Sequence, residues 1–170
     1  MKGPAIPGAR PTSELVKGAI FNVLGPLEGK VTRVLDLFAG TGSLGIEALS
    51  RGVPQVDFVE RNRRQCQRIQ ENLALIGLEE GASVHCMQVG QALQGLEGTY
   101  QLVLMDPPYK LEELAPVLEP LGASEHLDDR ARVVVGHSKK VQLKECYGSL
   151  VRTANHRYGD SVVDFFIKEG

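Results

Sequence analysis

A glycine-rich segment, DLFAGTGSLGIE at residues 36–47, constrains the fold of this chain more than any other feature. An apolar run at 33–38 precedes it and an amphipathic run at 43–51 overlaps its second half. Three glycines have the G-x-G-x-x-G spacing: Gly40, Gly42 and Gly45. This spacing is typical of a tight turn from a strand into a helix, where the backbone comes close to a bound cofactor. The segment therefore predicts a strand, a cofactor-binding loop and a helix.

Strand-like and helix-like runs alternate along the rest of the chain. Further strands are predicted at 55–60, 83–89, 100–106 and 131–137. Further helices are predicted at 62–76, around Ala92 and at 111–120. The tail predicts a hairpin that turns near 158–160. This order predicts an α/β fold with a doubly wound, Rossmann-like sheet, mostly parallel and with an antiparallel C-terminal hairpin strand.

One more helix is predicted before the glycine-rich segment. Thr12 or Ser13 can cap it, and Gly25 ends it. Its predicted apolar face consists of Leu15, Ala19, Ile20, Val23 and Leu24. Because the chain has 170 residues and no repeat or linker, we expect a single domain over 1–170, with 1–9 as a flexible N-terminus.

Composition excludes several classes of function. The net charge of −2 provides no general attraction for nucleic acid. Cys66, Cys86 and Cys146 lack the spacing of a zinc site or a disulfide framework, and the scattered histidines suggest no metal. No run of 18 apolar residues and no apolar leader occurs, so we expect a cytoplasmic protein that neither spans a membrane nor is exported.

Three carboxylates, those of Asp36, Glu60 and Asp106, stand in or directly after predicted strands. Because the carboxyl ends of parallel strands meet at one sheet edge, these groups and the glycine loop should lie together. Glu60 follows Gly40 by twenty residues, which suits an acid that binds ribose hydroxyls. A nicotinamide dinucleotide and S-adenosylmethionine both fit this frame.

The position of Asp36 favours S-adenosylmethionine. A pyrophosphate over the glycine turn would lie beside this carboxylate, and at about 4 Å the repulsion costs about 4 kcal/mol at an effective dielectric constant of 20. The ammonium and sulfonium of S-adenosylmethionine are cationic instead, and its carboxylate can meet the helix that begins near Ser43.

A second motif, VLMDPPYK at 103–110, ends an apolar strand abruptly. Pro107 and Pro108 have no N–H to continue a ladder, so the chain leaves the sheet directly after Asp106. Taken alone, the motif also fits a plain turn with a packing tyrosine at Tyr109.

Together these segments resemble the bacterial small-subunit (16S) ribosomal RNA guanine-N2 methyltransferases, which are class I S-adenosylmethionine-dependent enzymes with a D-P-P-Y motif. The segments that resemble the family are RPTSELVKGAIFNVL (10–24), DLFAGTGSLGIEALSRG (36–52), VDFVERN (56–62), VLMDPPY (103–109) and HRYGDSVVDFF (156–166). The resemblance implies that Asp106 and the Pro107 carbonyl accept hydrogen bonds from the two N–H groups of a base amine. Pro108 would then stiffen the turn, and Tyr109 would stack on the base.

The resemblance also assigns the cofactor site and the substrate. Expected cofactor contacts are Thr12, Asp36, Phe38, Gly40, Gly42, Glu60, Arg61 and Gln91. The expected partner is ribosomal RNA within an assembling small subunit, bound by a monomer. Candidate phosphate contacts are Arg10, Lys17, Arg61, Arg63, Arg64, Lys139, Lys140, Arg152 and Arg157.

Two departures from the family stand out. We expect this chain to lack the arginine- and glycine-rich extension that the family carries before the segment matching Arg10, and Gly136 stands where the family usually has a strand-ending glutamate. Adenine-N6 or glutamine-amide methylation, a non-catalytic relative that binds cofactor or RNA, and a nicotinamide oxidoreductase remain alternatives.

Overall fold

The structure is a computed structural model that describes residues 13–108 and 114–170. Helices flank both faces of one sheet. The strands are β1 (Arg33–Leu37), β2 (Gln55–Glu60), β3 (Ala82–Cys86), β4 (Tyr100–Met105), β5 (Leu127–Ser138), β6 (Cys146–Tyr147), β7 (Leu150–Tyr158) and β8 (Ser161–Lys168). The helices are α1 (Glu14–Leu24), α2 (Ser43–Ser50), α3 (Arg63–Ile76), α4 (Val89–Gly95) and α5 (Ala115–Gly122).

In the described part of the chain, the strand order is β3-β2-β1-β4-β5-β8-β7-β6. β1 to β5 are parallel, whereas β8 lies antiparallel between β5 and β7. This arrangement confirms the predicted doubly wound sheet with its C-terminal hairpin, which turns between Tyr158 and Ser161. The order reverses between β1 and β4, so ligands are expected at the carboxyl ends of these two strands.

Alternate residues of the strands face two hydrophobic cores. Val34 packs with α1, α2 and α3, whereas Leu35 and Leu37 pack with α4 and α5. Asp36 shares the face of Val34, because side chains alternate along a strand. Its carboxylate therefore points toward α2.

The buried face of α1 differs from the predicted one. Ser13 caps the helix as expected, but Leu15 and Val23 are 75% and 46% exposed. The buried residues are Ile20, Phe21 and Leu24. The helix is rotated relative to the prediction because the large ring of Phe21 is buried in the core. The Arg51 guanidinium lies 4.9 Å from the centroid of this ring.

Strand β3 ends earlier than predicted, at Cys86 rather than at residue 89. The amide of Met87 donates to the Glu60 carbonyl at 3.1 Å. The amide of Gln88 then donates to the Gln91 side chain at 3.3 Å, which starts α4.

The predicted flexible segment 1–9, and the first residues of the predicted helix 111–120, lie outside the described residues.

Candidate active site at the carboxyl edge of the sheet

The loop between β1 and α2 is held in an unusual backbone conformation. Phe38 has a φ of 56°, which is uncommon for a residue with a side chain. The next amide, that of Ala39, donates to the Val59 carbonyl of β2 at 3.0 Å. Gly40 and Gly42 follow with φ of 60° and 84°, which glycine adopts without strain. The loop thus bends sharply away from β1 over the end of β2.

The three glycines of the loop have different surroundings. A Cβ on Gly40 would have no heavy atom within 4 Å, so this residue faces open space. A Cβ on Gly42 would lie 3.2 Å from the Ile69 side chain of α3. A Cβ on Gly45 would lie against the Phe58 ring and 2.9 Å from Asp36 Oδ2. Gly45 therefore permits the close packing of α2 on the sheet, and Gly40 leaves room for a ligand.

Glu60 joins the ends of β1 and β2. Its Oε1 accepts from the Gly40 amide at 3.0 Å, and its Oε2 accepts from the Asn62 amide at 2.8 Å. The side chain of Asn62 caps α3 by accepting from the Gln65 amide at 3.1 Å. The predicted ribose-binding acid thus lies directly beside the glycine loop, and the exposed Arg61 follows it.

Asp36 is 1% exposed, and its Oδ2 accepts from the Gly45 amide at 3.0 Å. Burial raises the pKa of Asp36 well above its usual range, against the effect of the Gly45 hydrogen bond, and the nearby carboxylates of Asp106 and Glu60 raise it further. The carboxylates of Asp106 and Glu60 therefore both disfavour the ionised form of Asp36. A cation bound at this edge would offset that effect.

The D-P-P segment directly follows β4, which ends at Met105. Asp106 is half-buried, Pro107 is buried and Pro108 is exposed. Beside Asp106, on β5, lies Gly136, where an added Cβ would be 2.8 Å from Asp106 Oδ1. The strand does not end at Gly136 but continues to Ser138. Tyr109 lies outside the described residues.

Other predicted residues are less directly placed at this edge. Gln91 is exposed, and its side-chain oxygen accepts from the Gln88 amide within α4. Gln91 also lines an open groove of about 660 Å³ together with Arg33, His85 and Met87. The lining of this groove includes none of the three edge carboxylates. Thr12 and Arg10 lie outside the described residues.

The candidate phosphate contacts divide into two groups. The Lys17 ammonium donates to Ser43 Oγ at 3.2 Å and lies 3.1 Å from Glu14. Arg152 pairs with the buried Asp164 at 3.5 Å. The other described candidates are exposed, namely Arg61, Arg63, Arg64, Lys139, Lys140 and Arg157. Phosphate binding by this second group stays a prediction.

Sequence reasoning missed Asn72, which is 1% exposed on α3. Its side-chain amide donates to the Thr41 carbonyl at 3.1 Å and so holds the glycine loop from the far side. A signal was available, because Asn72 stands beside Leu73 and three residues after Ile69 in the apolar stripe of this helix. A buried amide in such a stripe needs a hydrogen-bond partner.

Two absences hold for residues 13–108 and 114–170. No group of three or more histidine, cysteine, aspartate or glutamate side chains is arranged to hold a metal ion. No helix there has both the length and the apolar character needed to cross a bilayer.

The geometry can be compared with known proteins. The model of the family described as Conserved hypothetical protein 95 matches residues 1–167. The chain belongs to this family. YlbH of Bacillus subtilis (strain 168), described as a candidate rRNA methyltransferase, is 37% identical over 174 residues, which cover 100% of this chain and 94% of YlbH.

A second relative and a solved structure agree with this membership. Ribosomal RNA small subunit methyltransferase D of Escherichia coli (strain K12) is 36% identical over 123 residues, which cover 70% of this chain but only 61% of that protein. The structure of Escherichia coli YhhF, described as a candidate methyltransferase, has a TM-score of 0.84 and 25% identity, covering 94% of this chain and 89% of that one. The family and the class I methyltransferase fold predicted from the sequence are confirmed.

Proposed function

We propose that this protein transfers a methyl group from S-adenosylmethionine to the exocyclic N2 amine of a guanine in small-subunit ribosomal RNA. The observation that carries this proposal is the pairing of β4 with β1, in which Met105 lies beside Leu37 and Asp106 follows directly. It brings the carboxylate of the D-P-P turn to the edge formed by the glycine loop. A carboxylate suited to binding an amine thus lies beside a loop suited to binding a cofactor. The relatives named as ribosomal RNA methyltransferases support the substrate class.

The electrostatics of the edge suit this cofactor. Asp106 and Glu60 both disfavour ionisation of Asp36 there, so a ligand with a sulfonium and an ammonium is attracted while a pyrophosphate is not. Asp36 and Glu60 would hold the cofactor with the backbone of Gly40, which faces open space. When bound, S-adenosylmethionine supplies a methyl group on a positively charged sulfur.

Asp106 and the Pro107 carbonyl would orient the amine. A base amine is a poor nucleophile because its lone pair is delocalised into the ring. When both N–H groups donate hydrogen bonds to fixed oxygens, the nitrogen becomes more pyramidal. Its lone pair can then face the methyl group. The proline backbone fixes this geometry in advance, so little entropy is lost when the base binds.

RNA contacts would come from local clusters rather than from the whole surface, since the net charge is −2. Lys139 pairs with Asp160 at 2.9 Å, and Lys140 and Arg157 also lie close enough to this carboxylate to lower its pKa. Lys139 and Lys140 directly follow β5, and Arg157 lies near the end of β7. We expect weak binding to naked RNA that falls steeply with salt, and tighter binding to an assembling small subunit in the cytoplasm.

The test is incubation with methyl-labelled S-adenosylmethionine and unmodified small ribosomal subunits, followed by digestion to nucleosides. Label in N2-methylguanosine is the expected result. Label in another nucleoside, or in a glutamine side chain, would replace guanine as the substrate. No label despite cofactor binding would favour a non-catalytic relative, and binding of NADH alone would favour an oxidoreductase.

The matching variant is Asp106→Ala. We expect methyl transfer to fall by about a hundredfold or more, because the amine loses its orienting carboxylate, while the Kd for S-adenosylmethionine stays nearly the same. Asp129→Ala is the control, since Asp129 is an exposed carboxylate near the opposite end of β5. Full activity of Asp106→Ala would exclude the role proposed for Asp106.

A further inference from the structure

Gly136 stands in the interior of a strand, where glycine is not an ordinary choice. It is buried in β5 and pairs with Val163 of β8. Glycine weakens a strand because it loses more conformational freedom on folding and has no side chain to pack. Such a glycine often marks a place where another group approaches the backbone closely.

The group that approaches Gly136 is the carboxylate of Asp106. A Cβ at this position would lie 2.8 Å from Asp106 Oδ1 and 3.5 Å from its Cγ. The next atom, the Met105 carbonyl oxygen, would be 3.8 Å away, which is an ordinary contact distance. The space left by the missing Cβ is therefore occupied by the Asp106 carboxylate, while the backbone of β4 leaves room for a Cβ.

We propose that Gly136 is a positioning residue, which lets the Asp106 carboxylate lie against β5 at the sheet edge beside Asp36. This inference rests on the proposed function, because it concerns where the amine-binding oxygen is held. Any other residue at position 136 would push the carboxylate away from β5.

A methyl group added at position 136 should increase the stability of the protein but lower the rate of methyl transfer. The atoms that must move belong to the end of a short side chain, so the fold need not change. Replacement of glycine by alanine in an extended strand also reduces the entropy of the unfolded chain, which stabilises the protein. A displaced catalytic oxygen, in contrast, lowers the rate, and a shift of about 1 Å can cost up to about a hundredfold.

The experiment compares Gly136→Ala with wild type and with Gly18→Ala. Gly18 is an exposed residue of α1 where an added Cβ meets no atom within 4 Å. We expect Gly136→Ala to lower kcat by about tenfold to a hundredfold. The KM for RNA, the Kd for S-adenosylmethionine and the Tm should not become worse. Gly18→Ala should match wild type in kcat, KM and Kd, and its Tm should not fall.

Crystal structures of wild type and Gly136→Ala provide a readout independent of activity. Displacement of the Asp106 carboxylate away from β5 supports the inference, even if the wild-type chain methylates a substrate other than RNA or none. An unmoved carboxylate, or an unchanged kcat in an active enzyme, would overturn it. A lower Tm together with weaker cofactor binding would also overturn it, because Gly136 would then serve the fold.

Discussion

Asp36 and Asp57 lie on the neighbouring strands β1 and β2, and both are almost fully buried, with 1% and 2% exposure. Burial alone raises the pKa of Asp57. Hydrogen bonds from Tyr100 and His85, together with the Arg33 guanidinium, outweigh this effect and lower it. The pKa of Asp36 is instead raised by burial and by the carboxylates of Asp106 and Glu60. With equal burial, Asp57 is therefore stabilised as an ion by its partners, whereas the ionised form of Asp36 is disfavoured by its neighbours.

The partners explain the difference. Tyr100 donates to Asp57 Oδ2 at 2.6 Å, and the Arg33 guanidinium donates to the same oxygen at 2.7 and 3.0 Å. Arg33 and Tyr100 are the first residues of β1 and β4, so this cluster lies toward the amino ends of the strands. The carboxylates around Asp36 lie toward the carboxyl ends. Removing one partner of a buried, paired charge destabilises the fold, whereas a buried carboxylate left among like charges is a candidate for ligand binding.

The largest expected effect is on stability, for Asp57→Asn. The change leaves the Arg33 guanidinium without its counter-ion, and we expect the free energy of unfolding to fall by about 3 kcal/mol. The loss should shrink as the pH falls below about 4, because a carboxylate with a lowered pKa stabilises the folded state only while it is ionised. Urea unfolding at pH 7 and pH 3.5 measures both. Equal stability of variant and wild type at pH 7 would contradict this role.

The same substitution on the neighbouring strand, Asp36→Asn, should act on binding. We expect the Kd for S-adenosylmethionine to rise by about tenfold to a hundredfold, the value of a charge-assisted contact. In wild type, affinity should increase with pH as Asp36 ionises, and the variant should lack this increase. Isothermal titration calorimetry from pH 6 to pH 9 measures both, and equal pH dependence of the two proteins would contradict the proposal.

Asp36→Asn should also differ from Asp57→Asn in the sign of its effect on Tm. An acid whose pKa is raised on folding contributes less stability as the pH rises above its unfolded pKa. In that pH range the unfolded state loses the proton more readily than the folded state, which favours unfolding. Removal of the charge should therefore increase the Tm, and more so at pH 8 than at pH 5. A decrease in the Tm at pH 8 would place Asp36 with Asp57 as a structural carboxylate.

The smallest expected effect is that of Tyr100→Phe, which removes one of the donors to Asp57. We expect a loss of about 1.5 kcal/mol in the free energy of unfolding, the value of a hydrogen bond to a charged group. Cofactor affinity should not change, because this cluster is separate from the glycine loop. Tyr158→Phe at the end of β7 is the control. Weaker cofactor binding in Tyr100→Phe would show that the Asp57 cluster and the glycine loop are not independent.

Local pattern predicted much of the fold but less of the site. The hairpin turn at Gly159 was predicted because it depends on a few neighbouring residues, and α2 and β2 were placed to within one residue for the same reason. The face of α1 was predicted only in part, with Ile20 and Leu24 buried but Leu15 and Val23 exposed, because several rotations of a short helix can each bury apolar residues. The contact of Gly136 with Asp106 could not be predicted, because the two residues are thirty positions apart and meet only through strand pairing.

The sequence by itself determined the alternation of strands and helices, the glycine loop, the D-P-P turn and the family, since each depends on residue types at short spacings. It did not distinguish Asp36 in VLDLF from Asp57 in VDFVE, which are both aspartates in apolar strands. Only the tertiary structure decided that Arg33 and Tyr100 surround one and that Asp106 and Glu60 approach the other. The reason is physical, because the charge state of a buried group depends on neighbours that distant parts of the chain supply.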